Sequence, residues 1–171
     1  MPPADSKINS TQSSTSSGSV SVAFLNAHSV GNKSASINNR IVDKCFDIFW
    51  VVETWHDGAN SPCLIECTPP DFKSIERASP HTNEASVGID DNYGGICVFL
   101  RTLFHVSIIS LPDYKSIEVL ALSVRSNLLT TALVTVYRPG STAVSSLFFE
   151  EFADMSWNAV LLTQTALLSV M

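Results

Sequence analysis

Apolar residues fall in short runs parted by polar and proline-bearing breaks, and the spacing inside the runs changes along the chain. Residues 20–26 (Val-Ser-Val-Ala-Phe-Leu-Asn) are β-branched and apolar enough to predict a strand. Gly31-Asn32 breaks that pattern, and Asn32 or Ser34 can cap a helix. Ile37, Ile41 and Cys45 then recur every four residues beside Val42, which predicts a helix over about 34–45 with one buried face. Residues 47–54 are apolar on both faces, as expected of a strand covered from both sides.

Residues 56–93 are punctuated by Pro62, Pro69-Pro70 and Pro80 and read as loop, with a short strand possible at 72–75. Beyond Gly94-Gly95, three strands are predicted in succession, at 96–101, 104–111 and 117–124. A turn at Asn127 leads into a further strand at 128–137. Short links between them predict antiparallel pairing. After Arg138-Pro139-Gly140, a helix starting near Ser145 sets Phe148, Phe152 and Met155 on one face and Glu150, Glu151 and Asp154 on the other. The order βαβ, antiparallel meander, helix predicts one α/β domain.

Composition narrows this. The chain has 171 residues, 45% of them hydrophobic, enough for one globular core. Residues 1–19, with the Ser/Thr tract 10–19, carry too little apolar surface to offset ordering entropy and are expected to form a disordered leader. The leader has one basic residue and the apolar stretch after it is interrupted by Asn26 and His28, so no secretion signal is expected. No apolar run reaches the ~20 residues of a membrane span, so no membrane partner is expected. The four cysteines then read as reduced thiols of an intracellular protein, nuclear or cytoplasmic. Cys63 and Cys67 have no second pair to complete a zinc site, even with His56 nearby. A net charge of −6 argues against a broad nucleic-acid grip, which relies on neutralising phosphates.

The chemistry concentrates at two strand ends. Asn26 closes the first predicted strand and Glu53 the second, and the intervening chain is long enough for a loop, a helix and a return strand. A βαβ unit would place both strands parallel, with their carboxyl ends on one crevice, where open α/β sheets bind ligands. An amide and a carboxylate meeting there suit a divalent metal and a phosphodiester.

These segments resemble a known family. Leu25-Asn26-Ala27-His28-Ser29-Val30 with Asn32-Lys33 is similar to the opening motif of the endonuclease domain of LINE-type (non-LTR) retrotransposons, in the endonuclease/exonuclease/phosphatase superfamily. Glu53-Thr54-Trp55 resembles its second motif, Pro69-Pro70-Asp71-Phe72 its proline loop and Gly94-Gly95-Ile96 its glycine-rich strand entry. Val136-Tyr137-Arg138-Pro139 resembles its Tyr-Arg-Pro motif, and residues 148–154 its acidic-aromatic helix. The resemblance implies a four-layer α/β sandwich of deoxyribonuclease-I-like type and Mg²⁺-dependent nicking of DNA. It implies that Glu53 binds the metal, that Asn26 orients the phosphate or the attacking water, and that Tyr137 contacts the phosphate.

The departures shape the functional expectation. His28 stands where arginine is common, Asp90-Asp91 where basic residues are usual, and Gly140 where a second proline is common. The later Gly-Asp-Phe-Asn and Ser-Asp-His segments are absent, and no Asp, Glu or His follows Asp154. The expectation is therefore a C-terminally incomplete domain at 20–155 with an aberrant apolar tail at 156–171. It is expected to be catalytically inactive because a positioned acid–base group and further ligands are lost. A non-catalytic interaction module and a phosphatase of the same superfamily are the alternatives. Exposed sheet surface makes self-association a possible partner mode.

Overall fold

The computed structural model describes residues 19–79, 94–126, 130–138, 144–161 and 166–170. The predicted leader, the acidic Asp90-Asp91 segment, the turn at Asn127 and Pro139-Gly140 lie outside the described residues.

Strand β1 (Val22–Asn26) leads through α1 (Ser34–Asp43) into β2 (Ile48–Val52), and the two strands pair in parallel with Asn26 opposite Val52. The βαβ reading is correct. Helix α1 buries Ile37 and Ile41, but it stops before Cys45, which is exposed and at φ 52°. The predicted cap is also absent: Lys33 occupies the N-cap position and makes no side-chain cap bond.

Every residue of β2 is buried, which follows from its two apolar faces. Phe49 and Val51 pack outward against α1 and the short helix α2 (Pro62–Cys67). Ile48, Trp50 and Val52 point the other way, into the core between the sheets. Helix α2 lies in the stretch read as loop. Pro62 sits at its start, where the missing amide donor costs nothing, and Leu64 and Cys67 are buried. Ser34 and Asn38 of α1 donate to Glu66 at 2.5 and 2.9 Å, joining the two helices.

Strand β3 (Phe72–Arg77) and β4 (Ile96–Arg101) complete the first sheet, in the order β1-β2-β4-β3. This corrects the predicted meander. Strand β4 pairs antiparallel with β2 and β3, not with the strand that follows it. The physical reason is burial. The residues of β4 are buried up to Leu100, which demands a central position, whereas β5 (His105–Ile108) is mostly exposed and takes an edge.

The second sheet runs β5-β6-β7-β8, with β6 (Glu118–Arg125) and β7 (Thr130–Tyr137) antiparallel as predicted. Helix α3 (Ser146–Leu161) passes position 156 without a break, and β8 (Ala166–Val170) pairs in parallel with β7.

Three apolar clusters define four layers. Trp50, Val98 and Leu100 meet Leu120, Leu122 and Leu133 between the sheets. Helices α1 and α2 cover one outer face, and Met155 and Ala159 of α3 cover the other against Val119, Ala121, Val134 and Val136. The ends of β1, β2 and β7 open at one rim, where Asn26 and Tyr137 both reach Glu53.

Candidate active site

Glu53 is the centre of that rim. Asn26 donates from Nδ2 to Glu53 Oε1 at 2.8 Å, and the Tyr137 hydroxyl donates to the same oxygen at 3.1 Å. His28 donates from Nδ1 to Oε2 at 2.6 Å. A carboxylate only accepts, so the proton on His28 lies at Nδ1 and the amide of Asn26 must turn its nitrogen inward. The Oδ1 of Asn26 accepts the His28 amide at 3.3 Å, which closes the turn after β1. The structure thus brings together Asn26, Glu53 and Tyr137, the three residues singled out in the sequence, and adds His28, which the sequence marked only as a departure.

The backbone around this carboxylate is held in unusual conformations. His28, Ser29, Glu53 and Trp55 all have positive φ, between 47° and 78°. Such residues cost about 1–3 kcal/mol each and persist only where the surroundings hold them. Here the ladder does so. Ser29 and Val30 donate to the carbonyls of Glu53 and Thr54, while Thr54 and Trp55 donate to Gly95 and Gly94. Lys33 reaches back to the carbonyls of Ala27 and His28, so it braces the turn.

Tyr137 is buried, and burial with the Glu53 carboxylate beside it holds its phenol well above the ordinary range. It therefore remains a hydrogen-bond donor at any working pH. Opposite it on β6 stands Glu118, only 5% exposed, which accepts from Gly95 N at 2.7 Å and Ser79 Oγ at 2.8 Å. Gly94 and Gly95 pass so close that a Cβ on Gly95 would come within 2.5 Å of Thr54 Oγ1. That close approach is the reason for the paired glycines.

His56 opens the stretch read as loop, yet the structure places it in the interior. It is fully buried, with Nδ1 2.6 Å from Thr54 Oγ1 and Nε2 2.7 Å from Glu76 Oε2. It ties the end of β2 to β3 rather than joining the cysteines. Cys67 lies in the core, where burial pushes its thiol up to about 12. Pattern reasoning missed Glu118 because a glutamate entering an apolar strand reads as exposed. The alternation Glu118, Leu120, Leu122, Val124 on one face was the available signal.

The donor set fits a magnesium ion only in part. Glu53 and Asn26 offer hard oxygen atoms, but both carboxylate oxygens already accept hydrogen bonds, and among the described residues no group of three His, Cys, Asp or Glu gathers to hold an ion.

Two packed sheets with helices outside match the deoxyribonuclease-I-like fold of solved endonuclease/exonuclease/phosphatase proteins. Solved structures agree. A 3′ phosphatase, NExo, from Neisseria bound to a product DNA hairpin superposes with TM-score 0.60 at 17% identity, covering 89% of this chain and 57% of that one. The endonuclease domain of TRAS1, a telomere-specific non-LTR retrotransposon, gives 0.57 at 8% identity, covering 87% and 58%. An endonuclease/exonuclease/phosphatase family protein from Bacteroides thetaiotaomicron gives 0.58 at 12%, covering 88% and 62%. The chain spans about three-fifths of the length of these structures. No protein-family model matches the sequence, and no curated protein matches it. No helix among the described residues is long and apolar enough to cross a membrane.

Proposed function

We propose that these residues form part of a Mg²⁺-dependent phosphodiesterase of the retrotransposon-endonuclease kind, and that the 171-residue chain alone does not turn over DNA. The observation that carries the reading is the convergence of Asn26, Tyr137 and His28 on the two oxygens of Glu53. In this reading Glu53 supplies the carboxylate for Mg²⁺. Asn26 and Tyr137 fix its rotamer and offer donors to a phosphate oxygen once substrate enters. A bound Mg²⁺ would stabilise charge building on the phosphate oxygens. The contexts Asn26-Ala27-His28-Ser29 and Glu53-Thr54-Trp55-His56 favour the retrotransposon branch over a phosphatase of the same fold.

Inactivity of the chain by itself follows from what surrounds Glu53. Water activation needs a positioned base, commonly worth about 10²–10⁴-fold. The buried His56 is committed to Thr54 and Glu76, and His28 is committed to Glu53. The engaged carboxylate also supports a second reading, a non-catalytic module that binds DNA or a partner at this rim. Exposed apolar residues on edge strands, Val22 on β1 and Ile108 on β5, would let such a module self-associate.

The test is nicking of supercoiled plasmid by purified protein with Mg²⁺. No nicking above a Glu53→Ala control is expected. Nicking by the wild type that chelation abolishes and that is absent from the mutant would overturn the inactivity.

A further inference from the structure

We infer that the outer face of the second sheet carries a phosphate pocket, at the end of β7 away from the rim. There Arg125, His105 and the hydroxyls of Ser107, Ser123 and Thr130 take the phosphate group of a small phosphate monoester. The pocket stands apart from Glu53 and adds a second ligand site to the chain.

Strand alternation brings these residues together. Leu120, Leu122 and Val124 point between the sheets, so Val119, Ala121, Ser123 and Arg125 line the outer face of β6. Helix α3 covers Val119 and Ala121, with Val134 and Val136 of β7 beside them. Where that apolar contact ends, the face turns polar. His105 stands directly opposite Arg125 and Ser107 opposite Ser123, while Thr130 pairs with Arg125 from the other side. Residues paired in this way share a face of the sheet. With Val106 they line a depression of about 340 Å³.

The lining is that of an anion site. Among the described residues, Arg125 and His105 are the ionisable groups around the depression, and no carboxylate joins them. In a chain with 16 acidic and 10 basic residues, an arginine readily finds an acid: Arg77 and Arg101 pair with Asp113 and Asp47 at 2.7 and 2.8 Å. Arg125 faces a histidine instead, and among the described residues neither has a side-chain hydrogen-bond or ion-pair partner. A glutamate opposite Arg125 would solvate the strand end equally well and would stabilise the pair, whereas two cationic groups there oppose each other until an anion lies between them.

The donors match a phosphate. A guanidinium fork gives two parallel bonds to phosphate oxygens, an imidazole offers an N–H in either protonation state, and three hydroxyls reach the remaining oxygens. Size selects the ligand. A depression of about 340 Å³ lies at the low end of the ~300–1,000 Å³ of small-molecule pockets. Two cationic groups in a closed patch do not track a polynucleotide, whose grip grows with the number of phosphates neutralised. Thr130 opens β7 and Tyr137 closes it, roughly 23 Å apart at ~3.3 Å per residue, so a ligand held here leaves the rim untouched.

The experiment is amide NMR of the labelled full chain, titrated without divalent ions and at constant ionic strength with inorganic phosphate, with ethyl phosphate and with a single-stranded oligonucleotide. Phosphate and ethyl phosphate should give saturable shifts at Ser107, Ser123, Arg125 and Thr130 and compete for one site, with Asn26 and Glu53 unmoved. Arg125→Gln should weaken binding at least tenfold, since each hydrogen bond to a charged group is worth about a decade of affinity or more. Arg125→Lys, which keeps the charge and loses the fork, should fall between. Arg40→Gln removes the same charge from an exposed position on α1 and should change nothing. The replaced side chains are exposed, and circular dichroism should show the variants folded. If Arg125→Gln is unfolded, the Arg125→Lys and His105→Gln titrations decide, each expected to weaken binding. Equal weakening in Arg40→Gln, or shifts spread over the surface, would reduce the effect to net charge and overturn the pocket. Shifts confined to Asn26 and Glu53 would also overturn it. Oligonucleotide binding at these residues more tightly than ethyl phosphate would overturn the small-ester assignment. Glu53 plays no part in the readout, so failure here leaves the nuclease reading standing.

Discussion

Gly94→Ala should be among the most damaging single-methyl additions in this fold, and Gly58→Ala is its matched control. The two glycines have nearly the same backbone, φ 126° and φ 129°. A Cβ at Gly58 meets nothing within 4 Å. At Gly94 it would overlap Glu118 Oε1 and lie 3.0 Å from both Glu118 Cδ and Ser79 Oγ. The shared backbone strain is about 1–2 kcal/mol for each variant. Gly94→Ala must in addition move a buried carboxylate that accepts bonds from Ser79 and Gly95 at 2.8 and 2.7 Å. Bonds to a charged group contribute about 1.5–3 kcal/mol each, so weakening both costs about 3 kcal/mol beyond the strain. At about 2–4 °C per kcal/mol for a chain of this size, Gly94→Ala should melt about 6–12 °C below Gly58→Ala. Thermal unfolding followed by circular dichroism measures the gap. Equal melting temperatures would show that Glu118 does not lock the glycine-rich entry, and would refute the second-sheet support drawn for the rim.

Cysteine chemistry should follow burial: Cys45 is exposed and should react readily with a thiol reagent, whereas Cys67 and Cys97, whose thiols burial pushes up, should react only on unfolding. Rapid labelling of Cys67 in the native protein would contradict the packing of α2. Partial burial pushes the Glu151 carboxyl up, but the Ser116 hydroxyl and the amides of Lys115 and Ser116 outweigh it and hold the group below the ordinary glutamate range. A lowered folded-state value means the stabilisation is present above the ordinary glutamate pKa and is lost as pH falls through the lowered one. The melting difference between wild type and Glu151→Gln should therefore be largest near neutral pH and vanish in acid, and a difference independent of pH would show that the carboxylate is not the source.

The sequence made the site more legible than the connections. Asn26 and Glu53 could be paired because each closes an apolar strand, and a parallel crossover has one geometrical consequence for such residues. Tyr137 was marked only by the resemblance of Val136-Tyr137-Arg138-Pro139 to a Tyr-Arg-Pro motif, and it closes β7. Periodicity could not reveal that β4 leaves its neighbour β5, since a short link looks like a hairpin until the burial of both faces of β4 forces it to the centre of the first sheet. Helix α2 was hidden by prolines that its first turn tolerates. Sequence pattern could not show what His28 and His56 bond to. The partners of each are set by tertiary contacts: a strained turn aims one at Glu53, and Glu76 on β3 receives the other.

The proposed rim holds one half of a metal–phosphate site, with Glu53 as the carboxylate and the phosphate needed to complete it. Amide and side-chain NMR of labelled protein, titrated with Mg²⁺ alone and then with Mg²⁺ plus a non-cleavable phosphodiester, tests this directly. Small shifts are expected with Mg²⁺ alone and clear, saturable shifts at Asn26, Glu53 and Tyr137 when both are present, all absent in Glu53→Gln. Shifts centred elsewhere, or unchanged by Glu53→Gln, would contradict it.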